Sequence, residues 1–378
     1  MKIERAESIP IRQELSEAFG NAQGWTTSRQ YLIIRITTDD GTTGYGECWG
    51  PVAGNHEIFE KMVAPLIVGE DPLNTSALWE RILAKLRWSY HSFVPYSALS
   101  GTDIALWDLK GKLLGVSVST LLGGRFRDKV LAYATGHYFR KVDTVKQQIA
   151  KISEEAQVHL ANGFQMLKIK IGLSRLGWGH KEDIRLIEAM RYAIGDKASF
   201  MVDANCAYSS PEAVEVGRAC ENSGVYWFEE PLPPYDYDGY AELSHKLDVP
   251  IAGGESWALL SEFNEIFRRR AVSYAQPDPC SAGGITEVQR IASLARAVNI
   301  DCIPHVWGTP IAIAAALHLL AATPGKALLE FDQSANPIRE ELLEEPIRLK
   351  SGYVDVPKGP GLGINIDEKR IARFIVDH

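Results

Sequence analysis

The sequence predicts an α/β protein, namely a (β/α)7β-type TIM barrel with an N-terminal α+β capping domain. From about residue 130, eight short apolar segments alternate with longer segments of helical periodicity, a pattern typical of parallel strands joined by helices. The preceding part differs, because strand-like alternating segments are followed there by three helical ones. We therefore predict a capping domain over residues 1–125, completed by about 340–378, and a catalytic barrel over residues 126–339.

Length and charge narrow the class of protein. At roughly 100–200 residues per domain, 378 residues correspond to two domains, or to one large barrel with an addition. The 40 Lys and Arg against 48 Asp and Glu give a net charge of −8, which argues against nucleic acid, since phosphate binding needs clustered positive charge. No apolar run of about 18 residues occurs and the N-terminus is charged early, so we expect neither a membrane partner nor a signal peptide.

The cysteines indicate a reducing compartment. Their number is odd and no C-x-x-C pair occurs, so we expect free thiols in a cytoplasmic protein. The five positions are Cys48, Cys206, Cys220, Cys280 and Cys302.

The predicted capping domain begins with strands and continues with helices. Residues 2–12 and 31–38 alternate like strands, and Asp39, Asp40 and Gly41 supply a turn before the segment GYGECW returns. Helical patterns follow at about 56–68, 74–90 and 96–115. The polar, glycine-containing region 19–30 fits either a mobile flap or an ordinary hairpin loop, and the sequence leaves both open.

The barrel strands are predicted from the apolar segments that follow. The eight candidates are residues 131–136, 166–172, 199–205, 225–231, 250–255, 273–278, 300–307 and 327–332. Seven of them have a charged or titratable residue at or near the C-terminal end, and in a parallel barrel these ends converge on the catalytic face. Six such residues recur about once per β/α unit, at intervals of 26, 26, 23, 27 and 25: Asp203, Glu229, Glu255, Asp278, His305 and Glu330.

Three of these carboxylates predict a metal site. Asp203, Glu229 and Glu255 end consecutive strands, and three converging carboxylates would repel one another without a cation. Ligands that are all oxygen favour Mg²⁺, or Mn²⁺, over Zn²⁺. The alternative is three solvated acids, which the shared spacing makes the weaker interpretation. Glu230 has the opposite strand parity, and we expect it to pair with a neighbouring cation.

Two lysines predict a catalytic base. Lys168 and Lys170 are two residues apart on a strand, so both point to one face, and helices should cover the other face through Ile169 and Ile171. Buried lysines are costly unless they are paired or functional. A second ammonium and a bound cation would lower the pKa of a lysine and make it a usable base. A K-x-K pair alone is more typical of an exposed strand edge.

A histidine and two further acids complete the predicted machinery. Asp278 would orient the ring of His305 and raise its basicity, which places a second base across the barrel mouth from Lys170. Glu330 would share a proton with a substrate carboxylate, or would be a second salt-bridged acid. Such a site suits removal of the proton next to a carboxylate, because the cation, Lys168 and Glu330 would stabilise the developing enolate.

These motifs resemble the enolase superfamily, and within it the mandelate racemase subgroup. The resemblance covers essentially the whole chain, including LWDLKGK, LLGG and GPGLGI. It implies Mg²⁺ as the cofactor and a small-molecule substrate, and by resemblance alone a homo-oligomer. It also implies that Asn205 touches a substrate hydroxyl; His137 and Trp307 are further candidates for substrate contact, with packing as the alternative for each. The resemblance gives the following residues the roles argued above: Lys168, Lys170, Asp203, Glu229, Glu255, Asp278, His305 and Glu330.

Within that subgroup the short sequence motifs are most similar to those of the galactarolactone cycloisomerases, and acid-sugar dehydratases share many of them. The segments are YATG, KIKIG, WFEEP, QPD-x-C, PHVWGT and EFD. A cycloisomerase would abstract the α-proton and expel the ring carboxylate oxygen to give a 3-deoxy-2-keto-hexarate, whereas a dehydratase would expel hydroxide. Cys206, Ala207, Ser281 and Ala282 depart from the pattern, and so does the long loop 173–180, which leaves the substrate open.

Three other functions are alternatives to this proton abstraction and elimination. A racemase or epimerase of a 2-hydroxy acid uses the same two bases, and nothing in the sequence excludes it. A metallohydrolase barrel requires an H-x-H pair on its first strand, and no H-x-H motif occurs in the sequence. A non-catalytic binding barrel would be expected to have lost a member of the ring of titratable residues, and none is missing.

Overall fold

The computed structural model describes residues 1–90 and 96–376. The chain begins with an antiparallel sheet of β1 (Ile3–Asn21), β2 (Gly24–Thr38) and β3 (Thr43–Cys48). The hairpin of β1 and β2 is longer than the sequence indicates, because pairing continues past a register shift to Asn21 and Gly24. The region 19–30 is therefore the end of a paired hairpin in this structure.

Helices cover this sheet. They are α1 (Val52–Ile58), a π-helical segment (Phe59–Val63), α2 (Ala64–Ile67), α3 (Thr75–Tyr90), α4 (Ser97–Leu114) and α5 (Val118–Leu121). Helix α4 is buried over most of its length and lies against β3. The approach is close because glycines face each other: a Cβ atom added to Gly46 would lie 1.8 Å from the carbonyl oxygen of Gly101.

The barrel confirms the predicted fold class. Eight parallel strands alternate with seven helices: β4 (Lys129–Thr135), α6 (Val145–Ala161), β5 (Met166–Lys170), α7 (His180–Ile194), β6 (Ser199–Asp203), α8 (Ser210–Asn222), β7 (Phe228–Glu229), α9 (Tyr237–Lys246), β8 (Ile251–Gly253), α10 (Leu259–Arg268), β9 (Tyr274–Ala275), α11 (Gly284–Ala297), β10 (Asp301–Cys302), α12 (Pro310–Ala322) and β11 (Leu328–Asp332). Strands β4 to β10 pair in chain order, and β11 pairs with β4, so the last strand lies beside the first.

Several barrel strands are shorter than the apolar segments that predict them. Segment 225–231, for example, contributes only Phe228 and Glu229 to the ladder, since Glu230 already has a φ of 40°. The chain leaves the sheet there and turns into the loop. The strand ends that carry titratable residues are therefore partly loop, which lets their side chains converge above the barrel.

Apolar side chains fill the barrel below that level. Each strand, or the residue beside it, contributes one member of a buried cluster: Tyr133, Met166, Met201, Trp227, Ala252, Tyr274, Ile303 and Leu328. In the register of the ladder, Lys170 pairs with Asp203 and Asp203 pairs with Glu229, so these three residues lie at one level. The apolar cluster is a floor under that polar level.

The C-terminal segment contacts both parts of the chain. It contains α13 (Pro337–Glu341), β12 (Leu349–Lys350), β13 (Tyr353–Asp355) and α14 (Glu368–Ile371). Strand β13 pairs antiparallel with β4, whereas Ile375 bridges to Ile11 of β1. All five cysteines are free thiols. Over the described residues, the helices include none with the length and apolar character needed to cross a bilayer.

The close packing of β3 on α4 predicts a sensitive position. Gly46→Ala should destabilise the protein by about 1–3 kcal/mol or more, because its methyl group collides with backbone atoms that cannot move aside. Gly54→Ala is the control, since a Cβ atom there meets its nearest neighbour at 4.0 Å and alanine favours the helix. Thermal unfolding measures both, and equal midpoints for the two variants would contradict the described packing.

Candidate active site

A cavity of about 260 Å³ lies between the tip of the β1–β2 hairpin and the C-terminal ends of the barrel strands. The N-terminal sheet and its loops contribute Phe19, Asn21, Gln23, Gly24, Trp25, Thr26 and Trp49. The barrel contributes Tyr138, Lys170, Asn205, Glu255, His305 and Trp307. Both parts of the chain are thus needed to form it.

Three carboxylates from neighbouring strands meet at the base of this cavity. Asp203 ends β6, Glu229 ends β7 and Glu255 follows β8, and one oxygen atom of each lies within 4.8 Å of the other two. Glu229 is fixed by Trp227 and Gln276, which donate from Nε1 and Nε2 to its Oε2 at 2.9 Å each. Oxygen atom Oε2 of Glu255 is buried and accepts no hydrogen bond, although His305 Nε2 lies 3.1 Å from it. The three residues therefore fit a hard divalent cation.

Both lysines of the K-x-K pair point into the same cluster. The Lys168 ammonium lies 2.6 Å from Glu229 Oε1 and 2.8 Å from Glu330 Oε1, and the side chain is fully buried. Lys170 forms an ion pair with Asp203. Burial is the largest single influence and lowers the pKa of Lys170, but Asp203, Tyr138 and Glu255 together outweigh it and raise that pKa above its usual value. The lowered lysine pKa predicted from a bound cation and a second ammonium is therefore not what this arrangement gives, because the carboxylates act in the opposite direction.

His305 and Asp278 form a hydrogen-bonded pair on the other side. His305 Nδ1 lies 2.7 Å from Asp278 Oδ2, and a carboxylate only accepts, so Nδ1 carries the proton. Nε2 faces the cavity, 3.1 Å from Glu255 Oε2 and 3.8 Å from Glu330 Oε2. Burial lowers the pKa of His305, but Glu255, Glu330 and Asp278 together raise it to about 10. The imidazole is therefore a proton donor in this arrangement.

A buried acid that the sequence analysis missed joins the two parts of the chain. Glu47, from β3, accepts hydrogen bonds from Thr309 Oγ1 at 2.6 Å, Thr309 N at 3.0 Å and Ala312 N at 3.3 Å. These donors form the N-terminus of α12, which starts just after the loop of His305. Burial raises the pKa of Glu47 to about 7. The sequence offers one signal for this role, because Glu47 is an acid within the otherwise uncharged strand segment GYGECW.

A buried arginine supports the aromatic wall of the cavity. Arg29, from β2, lies 2.7 Å from Asp332 Oδ2 and donates from Nε to the carbonyl oxygen of Ala335 at 3.0 Å. Its guanidinium group stacks 4.5 Å from the ring centre of Trp307, and Trp307 Nε1 donates to Tyr138 Oη at 2.8 Å. Sequence analysis missed Arg29 as well.

The remaining predicted residues divide into two groups. Asn205 and Trp307 line the cavity, and Asn205 Oδ1 has no hydrogen-bond partner, so substrate contact by both stays a prediction. His137 does not line the cavity, which agrees with the packing alternative rather than with substrate contact. Its φ of 52° turns the chain away from the strand, and its buried ring lies against His159 of α6.

Glu230 also differs from expectation. It lies beside Cys206, whose Sγ is 3.6 Å from Glu230 Oε2, and not beside a lysine. Burial, with the nearby Glu255 and Asp203 carboxylates, raises the pKa of Glu230 well above its usual range. A protonated carboxyl needs no cationic partner, which removes the reason for the predicted pairing.

Comparisons with known proteins agree with this geometry. Residues 10–123 match the mandelate racemase / muconate lactonizing enzyme N-terminal domain, and residues 151–370 match the enolase C-terminal domain-like family. The chain is 39% identical to D-galactarolactone cycloisomerase of Agrobacterium fabrum over 99% of each chain. It is 36% identical to arabinonate dehydratase of Saccharolobus solfataricus, over 89% of this chain and 88% of that protein.

Two solved structures are similar over nearly the whole length. The 3,6-anhydro-D-galactonate cycloisomerase from Zobellia galactanivorans has a TM-score of 0.90 and 37% identity, with 100% of both chains covered. A racemase from Streptomyces coelicolor with bound magnesium has a TM-score of 0.88 and 28% identity, covering 99% of this chain and 100% of that one.

The carboxylate cluster predicts which substitutions abolish metal binding. Asp203→Asn and Glu255→Gln should each weaken Mg²⁺ or Mn²⁺ binding by more than about 100-fold, because each removes a charged oxygen ligand. Asp278→Asn is the control, since Asp278 contacts His305 and is not one of the three clustered carboxylates. Titration calorimetry measures the affinities. Unchanged Mg²⁺ binding by Asp203→Asn would show that the ion binds elsewhere.

The tie between β3 and α12 predicts a graded loss of stability. Glu47→Ala leaves the buried N–H groups of Thr309 and Ala312 without an acceptor and should cost about 2–3 kcal/mol. Glu47→Gln keeps an acceptor oxygen and should cost less. Chemical unfolding followed by tryptophan fluorescence measures both, and an alanine variant as stable as the glutamine variant would contradict this role.

Proposed function

Because the chain belongs to the mandelate racemase / muconate lactonizing enzyme family of the enolase superfamily, we propose that it opens the ring of a sugar-acid lactone, in the manner of a D-galactarolactone cycloisomerase. The reaction removes the proton α to a carboxylate and then expels the oxygen on the β-carbon. One observation carries the proposal. Lys170, at the end of β5, and His305, in the loop after β10, both line one cavity. The carboxylate cluster lies at the base of that cavity.

The carboxylate cluster would hold the metal ion. Asp203, Glu229 and Glu255 supply three oxygen ligands, which suit Mg²⁺ and also Mn²⁺. When bound, the ion supplies positive charge that stabilises the negative charge developing on the substrate carboxylate. The buried ammonium of Lys168 adds to that stabilisation, and Glu330, 2.8 Å from it, fixes its position.

Proton transfer uses the two residues that line the cavity. Lys170 Nζ, in its neutral form, takes the α-proton. Its distance from the Asp203 carboxylate controls the pKa of Lys170 and hence the fraction of the neutral form. His305 Nε2, kept protonated by its acidic neighbours, stands ready to donate to the departing oxygen. Asp278 holds the imidazole in the tautomer that this donation requires.

The cavity wall favours a substrate with one carboxylate. Among the described residues that line it, Lys170 and His305 are the only basic side chains, and both are assigned to proton transfer, so a second carboxylate would lack a partner of its own. In a hexarate lactone one carboxyl group is already esterified, and only the other needs the metal. The rings of Trp25, Trp49 and Trp307 offer apolar surfaces for the C–H face of a cyclic sugar.

A sugar-acid dehydratase is the second candidate. His305 Nε2 faces the cavity and would serve equally to protonate a departing hydroxide. An aldonate has a single carboxylate and so meets the same charge condition. Racemisation uses the same two groups without a leaving group and remains the weaker alternative.

The products in D₂O with Mg²⁺ distinguish these reactions. We expect proton NMR to show a linear 3-deoxy-2-keto acid from a hexarate lactone and none from the open acid. The same product from an open acid would favour a dehydratase, and α-proton exchange without elimination would favour a racemase. No exchange in any hexarate, hexonate or lactone, with Mg²⁺ bound, would contradict the proposed substrate class.

Single substitutions test the assigned proton transfers. Lys170→Met and His305→Asn should each lower the rate by about 10²–10⁴, because each removes a proton-transfer group. Lys141→Met is the matched control, since Lys141 is exposed and lies over Trp25 outside the cavity. Turnover of the lactone is measured by the NMR assay. Full activity of Lys170→Met would contradict its role as the base.

A further inference from the structure

A second cluster of potential metal ligands lies behind strand β5, away from the cavity. Its members are His137, two residues after β4, and Glu155 and His159 of helix α6. The last two are four residues apart, so they share one face of the helix, and this spacing is used by helical metal ligands. One donor atom of each residue lies within 4.8 Å of the other two.

The tautomer of His137 leaves a lone pair directed at this cluster. Nδ1 lies 3.1 Å from the carbonyl oxygen of Lys168, and a carbonyl only accepts, so Nδ1 carries the proton. Nε2 is therefore unprotonated, and it is buried with no hydrogen-bond partner. Metal-ligating histidines are commonly oriented in this way, by donating the other ring N–H to a backbone carbonyl or carboxylate.

His159 is also short of partners. Both of its ring nitrogens are buried without a hydrogen bond, and Nε2 lies 3.4 Å from Glu155 Oε1. For metal–ligand bonds of about 2.0–2.1 Å in a tetrahedral site, two donor atoms are separated by roughly 3.3–3.4 Å. The separation in this pair therefore fits joint coordination of one ion.

The surroundings leave room for an ion and a route to it. A Cβ atom on Gly136 would lie 2.7 Å from Glu155 Oε1 and 3.6 Å from His159 Nε2, so the absence of a side chain keeps this space open. Glu155 is 19% exposed, which connects the cluster to solvent. The competing cation is Arg140, whose Nη2 is 3.8 Å from Glu155 Oε2.

We propose that His137, Glu155 and His159 form a second metal site, for a borderline transition-metal ion such as Zn²⁺. Two imidazole nitrogens and one carboxylate suit Zn²⁺ or Co²⁺, whereas Mg²⁺ prefers oxygen ligands. The chain then carries two sites of different chemistry. The second one braces the catalytic strand, because His137 binds the backbone of both Lys168 and Lys170, the latter through a 3.4 Å hydrogen bond from Lys170 N.

Titration with Co²⁺ in excess Mg²⁺ tests this site in the intact protein. Co²⁺ with four or five ligands absorbs visible light more strongly than the six-coordinate ion that an all-oxygen site favours. We expect one strongly absorbing Co²⁺ per chain in the wild type. His159→Gln and Glu155→Gln should each lose that band, or weaken Co²⁺ affinity by at least about tenfold. Glutamine is close in size to both residues, and either variant suffices if the other fails to fold.

A surface histidine provides the matched control. His180 lies 2.9 Å from Glu215 and 3.5 Å from Glu212, so it represents a surface histidine–carboxylate group that could bind Co²⁺ non-specifically. His180→Gln should keep the full Co²⁺ band. Retained Mg²⁺ binding by every variant checks that the oxygen site is intact. The proposal is overturned if the wild type gives no band, if His159→Gln and Glu155→Gln both keep it, or if His180→Gln loses it.

Discussion

An excess of buried negative charge at one end of the barrel is the constraint on which the site depends. Five carboxylates converge there, and two lysines and one histidine oppose them: Asp203, Glu229, Glu255, Asp278 and Glu330 against Lys168, Lys170 and His305. Uncompensated buried charges are costly, so such a set persists only if it is paired internally and completed by a cation. The same excess raises the pKa of His305 and of Lys170, and a bound divalent cation would reduce that excess.

The N-terminal domain completes this site from outside the barrel. Glu47 accepts hydrogen bonds from the start of α12, and Arg29 stacks on Trp307, so two buried side chains of the N-terminal sheet hold the segment that follows His305. The tip of the β1–β2 hairpin forms the opposite wall of the cavity. The cavity is therefore lined by both parts of the chain, whereas the three clustered carboxylates, Lys170 and His305 all come from the barrel.

The ring of titratable residues could be predicted from the sequence because each member lies in or shortly after one barrel strand, towards its C-terminal end. Residues spaced by one β/α unit lie at the same height in a barrel, and the structure brings these side chains together. Glu47 and Arg29 could not be found in this way, because their partners lie 262 and 303 residues away and follow no period. His137 was a candidate for substrate contact with packing as the alternative, and a positive φ after β4 takes it away from the cavity wall. Glu230 was expected to be ionised, which ignored the cost of burial beside two other acids.

A crystal structure with Mn²⁺ and an unreactive lactone analogue would test the central claim most directly. Anomalous scattering locates the Mn²⁺ without ambiguity. The account predicts one ion between Asp203, Glu229 and Glu255 that also binds the analogue's carboxylate, with Lys170 Nζ and His305 Nε2 on opposite faces of its α-carbon. An ion bound away from these carboxylates, or an analogue whose α-carbon lies out of reach of both groups, would contradict it.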